Sequence, residues 1–150
     1  MTAAEVVALL RLEPHPEGGW YRRIFEHPVG DSLGRPLSTA IHFLLRAGER
    51  SHWHRIDAVE IWHFAAGAPM ELRTASNDRQ KPESTVTVLG ADLGAGQQPT
   101  IVVPADVWQS AMSVADGRGE WSLVGCTVSP GFQFEGFELA PPGWEPGEER

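Results

Sequence analysis

Helical spacing of apolar residues appears only at the start of this chain, and nearly everywhere else apolar and polar positions alternate. Thr2, with Glu5 three residues later, reads as a capping box. Val6, Leu9 and Leu10 then form a short apolar stripe, which Pro14 is expected to stop. From Trp20 onward the period is two. The pattern predicts strands over 20–26, 38–46, 52–54, 60–66, 70–74, 84–89, 100–103, 107–114, 120–128 and 132–139. Gly, Pro, Asp or Asn separates each from the next, including the turn region Gly30–Pro36 and a polar loop over Asn77–Glu83. About ten short strands at this spacing predict an all-β fold, either a barrel or a two-sheet jelly roll. No internal repeat or linker divides the chain, so a single domain over 1–150 is expected.

Composition narrows the functions available. Hydrophobic residues make up 41% of the chain, which excludes a disordered segment. The net charge of −8 removes the electrostatic footing for binding nucleic acid. Cys126, the single cysteine, excludes a disulfide framework and a thiolate zinc cage. No apolar run reaches membrane-spanning length and no basic leader precedes one, so a cytoplasmic protein is expected. Six Trp in so short a chain suit a fold with a wide interior.

The densest polar cluster lies between Gly48 and Gly67. On a strand, His52 and His54 would share a face, and a five-residue connection brings Glu60 to the next strand. Two imidazoles and a carboxylate form a facial triad suited to Fe(II), Mn(II), Ni(II) or Zn(II). The plainer alternative is an exposed His52 beside a hydrogen-bonded core His54. Gln109, after Pro104 and Asp106, could offer its oxygen to a metal or ligand, or simply face solvent. Trp62 shares a face with Glu60 and is the best pocket wall among several core aromatics, while His63 falls on the opposite face. Arg73, like Arg22 and Arg55, could hold an anion through its guanidinium or form a surface ion pair. Cys126 reads as buried and inert, and His15, in the Gly18-Gly19 turn, as a surface residue.

These clusters, in this order, resemble the paired motifs of the cupin superfamily. His52, His54, Glu60 and Gly67 match the first motif, although five residues separate His54 from Glu60 where three or four are usual. Pro104 matches the start of the second motif, but Asp106 replaces its glycine and Gln109 its histidine, normally the fourth metal ligand. A closer resemblance runs through LEPHPEGGWYR from Leu12, STAIHFLL from Ser38, HRIDAVEIWHF from His54, VLGADL from Val88, VPADVWQ from Val103 and GCTVSPGF from Gly125. Together these segments are similar to the uncharacterised cupin-like family five, long catalogued as a domain of unknown function. His54 and Glu60 fall on its motif positions, whereas His52 stands at a variable one. Val59 and His42 occupy places where Asp and Tyr are more usual, and an inward His42 would add a ligand or base.

The resemblance implies a cupin jelly-roll β-barrel with a short N-terminal helix, a homodimer, and one polar pocket per barrel. It sets no reaction, although members resemble sugar epimerases, isomerases and germin-like proteins. Two enzymatic routes are then expected for a small polar metabolite such as a sugar derivative. In one, His52, His54, Glu60 and Gln109 hold a divalent metal. In the other, His54 acts as general base, oriented by Glu60, with His42, Trp62, Gln109 and Arg73 binding the ligand. A non-catalytic ligand-binding barrel and a buried structural network are the competing expectations.

Overall fold

A computed structural model describes residues 1–28, 32, 34–76, 83–114 and 121–150. Much of the Gly30–Pro36 turn, most of the Asn77–Glu83 loop and Glu120 lie outside the described residues.

Helix α1 covers Ala3–Leu10, and both halves of its capping box are formed: Thr2 Oγ1 accepts from Glu5 N and Glu5 Oε2 accepts from Thr2 N. It ends earlier than Pro14. Arg11 takes a left-handed conformation (φ 53°) and turns its N–H back to the carbonyls of Val7 and Ala8. Strand β1 (Glu13–Pro14) follows, a short element that alternation could not show. Ala3, Val6 and Leu12 pack with Leu44 on the outside of a sheet, so the helix serves as an outer cover.

Ten further strands follow: β2 (Trp20–Glu26), β3 (Thr39–Arg46), β4 (Arg50–Ile56), β5 (Val59–Gly67), β6 (Met70–Ala75), β7 (Ser84–Leu89), β8 (Thr100–Val103), β9 (Trp108–Ser113), β10 (Trp121–Ser129) and β11 (Phe137–Leu139). They form two antiparallel sheets, ordered β1-β2-β3-β10-β5-β8 and β11-β4-β9-β6-β7. Most expected strands appear within a residue or two at each end. The run 132–139 is the exception. Gly136 N closes a 3-10 turn on Gln133 O, and Asp57 N binds Gly136 O, so only Phe137–Leu139 pairs with β4.

The inner faces of the two sheets meet in one apolar cluster that includes Phe43, Leu45, Trp62, Met70, Leu72 and Val124. Full burial of a side chain such as Met70 or Leu72 stabilises the fold by about 1.5–3 kcal/mol each. Gly67 ends β5 at φ 81°, where a side chain would run into the carbonyl and ring of Trp121. No helix among the described residues is long and apolar enough to cross a membrane.

Candidate active site

β4 departs from strict alternation at the point where the sequence places its two histidines. The pairing of β4 with β9 slips between Ser51 and His54, a bulge that leaves Trp53 and His54 both buried. There the His52 N–H bonds the carbonyl of Glu17 at 2.7 Å. His54 turns into the space between the sheets, while the His52 ring donates from Nε2 to the carbonyl of Pro141 at 2.9 Å. His52 and His54 therefore do not converge, because the bulge resets the pleat between them.

That space is a cavity of about 540 Å³. One sheet contributes Phe43, Glu60, Trp62 and Cys126, the other His54 and Ile56, and Phe132–Glu135 closes one side. The segment between β1 and β2 adds His15 and Glu17, which sequence reasoning missed. His15 is no surface residue: its side chain is 6% exposed. Its ring stacks edge-on against Tyr21 at 4.5 Å. The available signal was the Gly18-Gly19 pair. Gly18 sits at φ 104° with its missing Cβ facing the Arg50 carbonyl, so the loop lies flat on β4 and its flanking side chains turn inward.

Glu17, His54 and Ser51 form a fixed chain of contacts. Ser51 Oγ donates to Glu17 Oε1 at 2.9 Å, and Glu17 Oε2 lies 3.1 Å from His54 Nε2. His54 Nδ1 meets the His52 carbonyl at 2.8 Å. A carbonyl only accepts, so Nδ1 carries the hydrogen and Nε2 of the neutral ring is an acceptor. One proton thus lies between Glu17 and His54. His15 cannot add another on that side, because its Nδ1 accepts from the Glu17 N–H.

Burial sets the charges. It pushes Glu17 up to about 8, opposed by the Ser51 hydrogen bond. Glu60 is raised to about 7 by burial first, with His54 opposing, Glu17 adding to the rise, and the Gln109 amide and Trp62 indole opposing it. Burial and then His54 drive His15 down to about 4. Burial also lowers His54, against the attraction of Glu60. At neutral pH Glu17 is a neutral acid, both imidazoles are uncharged, and Glu60 stands near half-ionisation.

The remaining expected positions are distributed as follows. Glu60 and Trp62 both line the cavity. Gln109 is fully buried behind the cavity lining; its Oε1 accepts from Trp62 Nε1 at 2.9 Å, while its Nε2 acts on Glu60 without a hydrogen bond of normal geometry. His42 does not reach the cavity: Ile41 and Phe43 face it from β3, so the pleat turns His42 outward. Arg73 faces away as well, beside the inward Leu72, and its Nε donates to Glu71 Oε1 at 2.7 Å. His63 lies on the outer face of its sheet, 3.3 Å from Thr127 Oγ1. Glu17 and the His52 carbonyl, rather than Glu60, hold the His54 ring at both nitrogens.

The four expected metal ligands are not brought together in this geometry. His52 is committed to Pro141 and the Gln109 oxygen to Trp62, which leaves His54 and Glu60. Among the described residues no group of three or more His, Cys, Asp or Glu is arranged to hold a metal ion.

Comparison with known proteins agrees with this architecture. The model of a family described as "Cupin superfamily (DUF985)" matches residues 4–140. A crystal structure of a Shewanella oneidensis protein superposes with a TM-score of 0.85 at 39% identity, covering 93% of this chain and 85% of that one. A hypothetical protein from Leishmania major gives 0.82 at 32% identity, over 93% of this chain and 88% of its own. Oxalate decarboxylase from Bacillus subtilis, in its structure at pH 4.6, shares the fold alone, with a TM-score of 0.60 at 12% identity, over 84% of this chain and 29% of that protein. No curated protein matches the chain.

Proposed function

The chain belongs to the cupin superfamily, in the family of unknown function that its sequence resembles, and from that premise we propose that its barrel binds a small polar metabolite and moves a proton next to a carbonyl. The observation that carries this reading is that Glu60 and the Glu17–His54 pair line one cavity, with burial raising both carboxyls toward neutral pH.

Glu60, near half-ionisation, takes the proton from the carbon beside a ligand carbonyl, and the electron pair moves onto the carbonyl oxygen as an enolate. Glu17, with its proton held toward His54 Nε2, returns a proton to carbon or to oxygen. Proton return to the opposite face of that carbon gives an epimer, and return with carbonyl migration gives an isomer. Solvent exchange then moves a proton from Glu60 back to the Glu17–His54 pair. This class of chemistry agrees with a sugar derivative as ligand.

Deuterium uptake from D2O by reducing sugars and other α-hydroxy carbonyl compounds tests the reading, followed by proton NMR at the carbon beside the carbonyl. Glu60→Gln is expected to reduce uptake at least about 100-fold while the protein stays folded, in keeping with the usual contribution of a general base. Equal uptake by wild type and Glu60→Gln rejects the assignment.

Binding without chemistry is the second reading. Gln109, at the place of the second-motif histidine, supports it because its oxygen is committed to Trp62. A homodimer belongs to the same proposal: beyond Tyr21 the outer edge of β2 has no strand partner among the described residues, and Ile24 and Phe25 are exposed there. Size-exclusion chromatography with light scattering distinguishes dimer from monomer.

A further inference from the structure

The walls of the cavity are unevenly charged. Glu13, Glu17, Glu26, Glu60 and Glu135 all reach its lining, whereas the cationic side chain among the described lining residues is Arg23. That guanidinium is engaged: Nη1 meets Glu26 Oε2 at 3.3 Å and Nη2 donates to the Phe132 carbonyl at 3.0 Å. His15 and His54 are uncharged at neutral pH, since burial lowers both. An anionic ligand entering this space would meet carboxylates with no available counter-charge.

The other walls complement a different charge. Tyr21, Phe43, Trp62, Phe132 and Phe134 present aromatic surface to the same cavity. Ring faces attract an ammonium group, more strongly where water is excluded. Glu60 is a buried carboxyl near half-ionisation whose partner of opposite potential charge among the described residues is the His54 imidazole, so an ammonium group beside it supplies what the protein lacks. Thr39 and Gln133, uncharged polar side chains on the same lining, suit hydroxyl or carbonyl oxygens on the ligand.

We propose that the cavity selects a small metabolite carrying a protonated amine together with hydroxyl or carbonyl oxygens, the chemical class of amino sugars and amino polyols, and turns away phosphorylated and carboxylated analogues. This rests on the reading of the cavity as a substrate site and adds the charge of the substrate to it. The Glu60 carboxylate binds the ammonium, the aromatic rings cover its carbon frame, and the phosphate or carboxylate of an anionic analogue finds no unpaired cation among the described lining residues to replace its water.

The test uses probes on one hexose frame: glucosamine, glucose, glucose 6-phosphate and glucuronate, with ethanolamine as the simplest amino alcohol. Binding is followed by the shift of the Trp62 indole N–H in nitrogen-15 spectra, assigned with Trp62→Phe, and by calorimetry. Glucosamine is expected to bind at least about tenfold tighter than glucose, a difference near 1.4 kcal/mol, with no shift from either anion. Glu60→Gln should bring glucosamine to the level of glucose at an undiminished melting temperature, whereas Glu17→Gln, which matches the neutral acid, should leave the preference in place at neutral pH. Anions that bind as tightly as the amine overturn the inference. So does an amine preference that survives Glu60→Gln, or silence from every probe at saturating concentration.

Deuterium uptake measured on the same samples separates the two proposals. Glu60-dependent uptake by glucose or an anionic probe, without amine preference, leaves proton transfer standing and removes the charge selection. Amine-selective binding with no uptake does the reverse.

Discussion

Glu17→Gln removes an ionisable group without removing a contact. In the neutral acid, Oε2 carries the proton toward His54 Nε2 and Oε1 accepts from Ser51 Oγ. A glutamine amide reproduces both bonds, its NH2 donating to His54 and its oxygen accepting from Ser51. What changes is the response to pH. Glu17 rises from its ordinary 4.5 to about 8 in the fold, so the folded state holds a proton that the unfolded chain has released. Below the unfolded value both states are protonated and the group contributes nothing. As pH rises toward the folded value, stability is lost, and above it the full penalty stands. At 1.36 kcal/mol per pH unit the whole shift amounts to about 5 kcal/mol, with about 3 kcal/mol of it developing between about pH 6 and about pH 9. Urea unfolding of wild type and Glu17→Gln across that range measures the difference directly. The variant should already be the more stable protein by about 2 kcal/mol at the acidic end, and its lead should widen by about 3 kcal/mol at the alkaline end. Parallel stability curves would refute the reasoning, since they would mean that Glu17 is an ordinary ionised carboxylate in the fold.

Other expectations follow from single contacts. Trp62→Phe strands the Gln109 carbonyl beside an Nε2 that already lacks a hydrogen bond of normal geometry, and should destabilise by about 2–4 kcal/mol in urea unfolding; adding Gln109→Leu should restore part of that, because both polar partners are then gone. Gly67→Ala should lower stability by about 2 kcal/mol or more, with strain at φ 81° added to the clash with Trp121, whereas Gly125→Ala, whose nearest new contact is 3.8 Å away, should change the melting temperature little. Cys126 is buried and its thiol is pushed up by burial first and then by Glu60 and Glu17, so Ellman's reagent should label it only as fast as the protein unfolds. Labelling of the native protein at the rate of a free thiol would contradict that burial.

Local pattern determined the helix with its Thr2–Glu5 box, nearly every strand, and the pairing of Glu60 with Trp62 on one face, because these follow from side-chain periods of a few residues. The match to family motifs named the jelly roll in the same way, through segments of consecutive residues. Tertiary structure decided the site. A bulge at Ser51–His54, produced when the 13–19 loop takes the His52 N–H, separated two histidines that strict alternation had put together. The same loop carried His15 and Glu17 inward, although nothing in their spacing relates them to a strand far along the chain. His42 turned outward with the pleat of β3, whose phase is set by what the opposite sheet buries. The sequence by itself thus determines which residues alternate, while only packing between distant segments determines which face is the inside and which protons are trapped there. Burial is a property of everything that surrounds a side chain, and no single stretch of chain contains that information.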